Sequence, residues 1–169
     1  EATTPAPISE RGARRLAAEQ AWLGLGRRSG KRVQVFRLPG IYGPGRSALD
    51  NVRSGSARRI VKPGQVFNRI HVDDIAGALA LAMSGGGRHE IYNISDDEPC
   101  PPQDVITHAA SLLGVAPPPE VPFAEATLSP MAASFYGESK RVSNARARAD
   151  LGWAPRFPSY REGLAAILA

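Results

Sequence analysis

The chain has 169 residues, enough for one domain with a core of its own. Its 43% apolar and 22% charged residues place it among folded chains and exclude a disordered one. A net charge of +5 invites a polyanion partner, but the basic residues are scattered as pairs such as Arg14-Arg15, Arg27-Arg28, Arg58-Arg59 and Lys140-Arg141. No nucleic-acid motif accompanies them, so solvated helix ends and loops are expected and a nucleic-acid partner is not.

No run approaches the roughly 20 apolar residues of a membrane span, and the polar start Glu1 to Pro5 lacks a signal-peptide core. Cys100 is the single cysteine, which leaves no internal disulfide and no cysteine-based zinc site. The expectation is a cytoplasmic protein with no membrane partner and no metal. Cys100 stands between two prolines with no basic neighbour in sequence, so a nucleophilic thiolate is not expected.

In chain order, Ser9 caps a helix expected from about Glu10 to Leu25, with Ala13, Leu16, Ala17, Gln20, Ala21 and Leu23 as its narrow inner stripe. Gly24 and Gly26 are read as its end. The glycine-rich stretch Gly24 to Gly30 follows a helix and opens a strand, the reverse of a dinucleotide loop, and is a connector. Val33 to Leu38 reads as a buried strand that stops at Pro39-Gly40 and releases a loop carrying Tyr42 and Arg46. In open α/β sheets such loops line the ligand crevice. Composition alone also allows an ordinary strand-end turn.

A short helix is expected over Ala48 to Ser54, then two strands, Arg58 to Lys62 and Val66 to His71, around a Pro63-Gly64 turn. Asp73 or Asp74 caps an apolar helix from Ile75 to Met83, and Glu90 to Ile94 is a strand ending in a polar turn, Ser95 to Pro99. A helix opens at Pro102, Pro117 to Pro122 is an extended connector, and Phe135 and Tyr136 lie in a loop. A helix from Ser143 closes at Gly152, and the capping box Ser159/Glu162 opens the last one. Trp153 is expected in the core beside Leu151, Leu164 and Ile167. The fold class is α/β, the C-terminal part of a Rossmann-like doubly wound parallel sheet plus a small, mostly helical lobe. Only two good core strands are present, so the sheet needs residues from outside this sequence.

Four stretches then carry a resemblance. They are Arg37 to Pro44, Ile70-His71-Val72-Asp73-Asp74-Ile75-Ala76, Ile91-Tyr92-Asn93-Ile94, and the closing set Ser139-Lys140, Asp150 to Pro155 and Glu162-Gly163-Leu164. In this order and spacing they resemble the NAD-dependent epimerase/dehydratase group of the extended short-chain dehydrogenase/reductases, in its C-terminal half. The resemblance implies residues 1–47 as the end of the dinucleotide-binding domain and 48–169 as mainly substrate lobe, with 72–94 returning to the sheet. It also implies NAD or NADP as cofactor, a small-molecule substrate such as a sugar nucleotide or similar polar metabolite, and a homodimer through helix 10–25.

The family's catalytic Tyr-x-x-x-Lys pair maps onto Arg11 and Arg15. Arginine does not release a proton near neutral pH, so Arg11 does not replace the tyrosine, whereas Arg15 retains the ability to donate to a ribose hydroxyl. The resemblance places Pro39, Gly40, Ile41 and Tyr42 along the cofactor, with Tyr42 equally readable as a packing aromatic. Arg46, Arg69 and Tyr136 are the candidate substrate residues, the arginines through a guanidinium fork onto an anion. His71 with Asp73 and Asp74 is read as a strand end and helix cap before a metal site. Two functions remain open: an NAD(P)-dependent epimerase, dehydratase or reductase, and a non-catalytic dinucleotide-binding protein of the same fold.

Overall fold

The computed structural model describes residues 1–169, with the side chain of Met131 set aside. Helix α1 (Glu10–Ser29) starts where expected, with Ser9 Oγ accepting from the Gly12 amide. It runs past Gly24 and Gly26 and ends at Gly30, in the left-handed region at φ 65°. Gly26 does not end the helix; it permits close approach to the chain leading into the sheet. A Cβ there would meet Val33 Cγ2 at 2.7 Å and the Lys31 carbonyl at 2.9 Å. The expected inner stripe is not covered: within α1 only Leu23 and Gly26 are buried, while Ala13, Ala17 and Ala21 are exposed.

Strand β1 (Val35–Arg37) is followed at once by β2 (Gly40–Tyr42), so part of the expected loop is a strand. Then come α2 (Ala48–Arg53), β3 (Arg59–Val61), β4 (Arg69–His71), α3 (Val72–Met83) and β5 (Ile91–Asn93). Helix α4 (Pro102–Leu112), β6 (Glu120–Pro122), a 3-10 turn at Phe123–Glu125, α5 (Pro130–Tyr136), a π turn at Ala147–Leu151 and α6 (Tyr160–Leu168) complete the chain. Phe135 and Tyr136 therefore end a helix capped by Ser129, not a loop.

The strands form three parallel pairs: β1 with β5, β2 with β4, and β3 with β6. The expected hairpin around Pro63-Gly64 is absent. β3 and β4 each leave for a more distant partner, because parallel pairing requires a long crossover rather than a tight turn. The extended connector Pro117 to Pro122 supplies β6. The Ile94 amide extends the β1/β5 pair by donating to the Arg37 carbonyl at 3.1 Å, and, two residues on, the Asp96 amide ties the chain to β4 by donating to the Arg69 carbonyl at 2.8 Å.

Two cores result. One, on the β1/β5 side, holds Ile70, Ala78, Tyr92, Ile94, Ala147, Leu151 and Trp153. The other, in the helical lobe, holds Tyr42, Leu49, Cys100, Val105, Ala109, Tyr160 and Leu164. Trp153 is buried as expected, its indole donating to the Asp74 carbonyl at 3.1 Å. Of its expected partners only Leu151 shares that core; Leu164 and Ile167 pack in the lobe. Helix α3 is also less covered than its composition suggests, with Met83 87% exposed. No described helix is long and apolar enough to cross a membrane.

Candidate functional site

The loop leaving β2 and the first residue of β4, Arg69, border a cleft of about 450 Å³ closed by the lobe helices α2, α4 and α6. Three elements build its polar rim. The loop after β2 folds tightly, with Gly43 and Arg46 exchanging backbone hydrogen bonds at 3.2 and 3.0 Å and Gly45 at φ 74°. This turn presents Arg46 at the mouth. The lead-in to β3 contributes Arg58, and β4 contributes Arg69. The opposite wall is apolar: Ile41, Val105, Ile106, Leu164 and the ring of Tyr160.

The arginines of this cleft differ from nearly half of those elsewhere in the chain. Seven elsewhere, Arg14, Arg27, Arg37, Arg59, Arg88, Arg148 and Arg161, pair with carboxylates. Among the described residues, no carboxylate lies within ion-pair distance of Arg46, Arg58 or Arg69. The one acid lining the cleft is Asp50, and it is committed to the α2 capping box. Its Oδ2 accepts from the Ser47 amide at 2.8 Å and from the Ser47 hydroxyl at 2.6 Å. That hydroxyl bond is the main reason its pKa is held below the usual carboxylate range.

Arg69 is half-buried and only partly occupied. Its Nη1 donates to the Phe67 carbonyl at 3.1 Å and to Cys100 Sγ at 3.0 Å, a weak acceptor. Its guanidinium lies 6.0 Å from the Tyr160 ring centre. Cys100 thus has a basic neighbour that the sequence order hides. Burial nonetheless outweighs it and pushes the thiol up to about 11, so it stays protonated and unreactive.

Behind Arg69 lies Asp96, inside the stretch expected to be a polar turn. Ser95 and Asp96 are both buried. Asp96 Oδ1 accepts from the Arg69 amide at 3.2 Å, while Oδ2 is buried with no partner among the described residues. Loss of water raises the Asp96 pKa to about 7. Tyr160 is likewise pushed up to about 12 by burial and is neutral at physiological pH.

The structure places the sequence-expected residues as follows. Arg46 and Arg69 are brought together in the cleft. Tyr42 is packed inward rather than laid open over a cofactor. Its ring meets His71 edge-on at 5.2 Å, its hydroxyl donates to the Ser159 carbonyl at 3.4 Å, and burial raises its pKa. Gly40 and Ile41 are exposed and Pro39 half-buried at the strand end. Tyr136 is not among the cleft-lining residues; its ring packs with Phe67 at 5.6 Å and Phe123 at 5.1 Å.

Arg11 and Arg15 sit on the exposed face of α1 beside the Arg14–Glu10 pair. The Arg11 guanidinium stands 6.0 Å from the ring centre of Phe135 on α5. The His71 side chain caps α3, its Nδ1 accepting from the Asp73 amide at 3.2 Å; the aspartates lie in the first turn instead of at the cap. Asp74 turns inward and accepts from the Arg156 and Phe157 amides at 2.5 and 3.2 Å. Among the described residues, no three His, Cys, Asp or Glu side chains are placed to hold a metal ion.

Arg58, Tyr160 and Asp96 were not singled out by sequence. Arg58 reads as half of an ordinary basic pair, and Asp96 as part of a polar turn. The only sequence signal was position: Asp96 closely follows the apolar strand Ile91-Tyr92-Asn93-Ile94.

No protein-family model matches the chain. A curated relative, 3-diazoavenalumate denitrifying reductase of a Streptomyces species, is 32% identical over 144 residues, covering 77% of this chain and 45% of the relative. A conserved protein of unknown function from Silicibacter pomeroyi is 50% identical with a TM-score of 0.90, covering 99% of this chain and 57% of its own. UDP-glucose 4-epimerase of Thermotoga maritima, solved with UDP-glucose, has a TM-score of 0.75 at 24% identity, covering 95% of this chain and 52% of its own. Other matched structures hold NADPH or NAD. The chain spans about half the length of the proteins it matches.

Proposed function

We propose, from the chain's structural match to the NAD-dependent epimerase/dehydratase family of extended short-chain dehydrogenase/reductases, that it carries the substrate cleft of an NAD(P)-dependent oxidoreductase. The reaction class is hydride transfer between the nicotinamide and a polar, anionic metabolite, of the reductase, epimerase or dehydratase type. The observation that carries this reading is the cleft where the loop leaving β2 faces Arg69 at the start of β4, since loops at strand carboxyl ends line the ligand crevice of open α/β sheets. There three guanidiniums, Arg46, Arg58 and Arg69, face one space without a carboxylate to neutralise them. The matched curated protein is by name a reductase, and matched structures hold NADPH or NAD.

The residues divide by what they touch. Arg69 holds the substrate anion, with Arg46 standing at the mouth of the cleft. Gly40 and Ile41, exposed at the strand end, leave backbone and a small apolar face for the cofactor's nicotinamide end. The dinucleotide, when bound, supplies the hydride. Arg15 suits the ribose hydroxyls, as a donor that cannot accept. Arg11 holds no transferable proton near neutral pH, so the proton that accompanies the hydride comes from another group.

The second reading, a dinucleotide-binding protein without turnover, rests on that same pair of arginines. Incubating the full-length protein with NADPH or NADH and a panel of anionic carbonyl compounds and sugar nucleotides separates the two. Loss of reduced-nicotinamide absorbance above a no-substrate control supports the enzyme; cofactor binding with no substrate-dependent loss supports the second reading. Arg11→Tyr sharpens the outcome. A gain of orders of magnitude identifies the arginine as what silenced the site, and an unchanged rate places the acid elsewhere.

A further inference from the structure

We infer that the cleft selects a compact carboxylate on an apolar or aromatic body over a nucleotide, with Arg58 and Arg69 as its two anion contacts and the Tyr160 ring as its platform. This rests on the reading above that the cleft is the substrate site, and it names the substrate class.

The argument starts from the unspent hydrogen-bonding groups. Arg69 has its Nη1 edge occupied by the Phe67 carbonyl and Cys100 Sγ, which leaves Nη2 and Nε for a bidentate partner. Two parallel N–H groups match the two oxygens of one carboxylate. The carbonyl and the thiol, both uncharged, keep the fork in place without neutralising it. Arg58 is exposed with no hydrogen-bond or ion-pair partner among the described residues. It stands next to Arg59, which is by contrast tied to Glu120 at 2.6 Å. One arginine of the pair holds the lobe together and its neighbour is left for the cleft.

The remaining lining decides what the anion is attached to. A nucleotide needs hydrogen-bonding partners for its base and sugar hydroxyls, since buried polar groups left unpaired are costly. The polar side chains here other than the arginines are Ser47, Asp50, Asn51, Tyr42 and Tyr160, and the Tyr42 hydroxyl already donates to the Ser159 carbonyl. Ser47 and Asp50 are spent on each other. Asn51 and the Tyr160 hydroxyl are what is left for a base and its ribose, fewer partners than those groups need. The rest of the wall, Ile41, Val105, Ile106, Leu164 and the Tyr160 ring, offers apolar contact and a face for ring packing. A cleft of about 450 Å³ lies within the ordinary size of small-metabolite sites.

The test is calorimetric titration of the full-length protein with phenylacetate, with UDP-glucose and with inorganic phosphate, each at equal ionic strength. The expected result is saturable binding of phenylacetate, with UDP-glucose and phosphate at least tenfold weaker. Arg58→Gln is expected to weaken phenylacetate about tenfold, in keeping with a lost charged hydrogen bond, and Arg58→Lys to recover part of that loss. Arg58 has no contacts to lose, so the variant should unfold at the same temperature as the wild type. UDP-glucose binding more tightly than phenylacetate, or Arg58→Gln leaving phenylacetate unchanged, overturns the inference. If substrate-dependent NAD(P)H oxidation is found while phenylacetate does not bind, the inference fails and the oxidoreductase reading stands. If phenylacetate binds with the expected Arg58 dependence and no substrate consumes NAD(P)H, the oxidoreductase reading fails and the inference about the cleft stands.

Discussion

The two cores of this chain treat their polar groups in opposite ways. On the β1/β5 side every buried polar side chain that matters is matched. The Trp153 indole reaches the Asp74 carbonyl, the Asp74 carboxylate takes two backbone amides, and the Tyr92 hydroxyl donates to Asp150 while accepting from the His89 amide at 2.8 Å. In and around the lobe core, partners run out. Asp96 Oδ2, Gln103 Oε1, His108 Nε2, His71 Nε2 and Arg59 Nε are buried with none among the described residues, and the Arg69 side chain donates only through Nη1, to a carbonyl and a sulfur. Buried polar groups are normally satisfied, so a cluster of exceptions marks a place shaped for something besides stability. None of these five residues lines the arginine cleft itself, but His108 packs edge-on against the Tyr160 ring and Asp96 accepts from the Arg69 amide. The first core is a structural support; the second also serves the site.

The largest expected effect breaks the first core. Trp153→Ala removes a ring that is 3% exposed together with its hydrogen bond to Asp74. It should cost roughly 3–5 kcal/mol in denaturant unfolding. An unchanged midpoint would mean that the ring does not support α3 and the π turn.

A comparable effect of opposite sign is expected at Asp96, which follows β5 and bonds to Arg69 of β4. Asp96 has its pKa raised to about 7, against roughly 4 in the unfolded chain. Below pH 4 the carboxyl is protonated in both states. Between about pH 4 and pH 7 the unfolded chain gives up the proton and the folded one keeps it, so stability falls as pH rises across that window and is level above it. The loss is at most about 4 kcal/mol for such a shift. Asp96→Asn keeps the acceptor for the Arg69 amide and removes the titration. It should flatten the curve and stabilise the protein at pH 8; equal pH dependence in both proteins would show that Asp96 is not the group responsible.

These two residues also show what the sequence made legible. Trp153 was placed by local rules, since a tryptophan between a helix-ending glycine and a proline has few places to go. The Ser9 cap and the Ser159/Glu162 capping box follow from the same short-range chemistry, and both are formed. Asp96 was not legible, because its burial depends on Arg69, 27 positions away, coming alongside through the β2/β4 pairing. Parallel pairing is set by crossovers, not by turns, which is why Pro63-Gly64 suggested a hairpin that does not exist. The free Arg58 and the paired Arg59 were indistinguishable until β6 brought Glu120 to one of them. The open stripe of α1 was misread for a related reason: periodicity reports that a face is apolar, not that this chain covers it.

A smaller effect tests the seam between sheet edge and lobe. At Gly163 an added Cβ would fall 1.9 Å from the Tyr42 hydroxyl oxygen and within 2.8 Å of two ring carbons. Gly163→Ala should therefore cost about 1–3 kcal/mol by overpacking. A neutral result would show that Tyr42 is free to turn away, reopening its role at the cofactor. The smallest effect is expected at the cleft rim. Arg46→Gln and Arg58→Gln should each change stability by no more than about 0.5 kcal/mol, as surface substitutions without partners do. A larger loss would assign these arginines to the support rather than to the site.

The central claim is that Arg46, Arg58 and Arg69 are left unpaired because a substrate anion completes them. A crystal of the full-length protein with NADP, soaked in iodophenylacetate, tests it most directly, since the iodine fixes the position of the ring. The account predicts the ring against Tyr160 and the carboxylate on the Arg69 fork within reach of Arg58. Iodine density only outside the cleft, or a carboxylate held away from all three arginines, would contradict it.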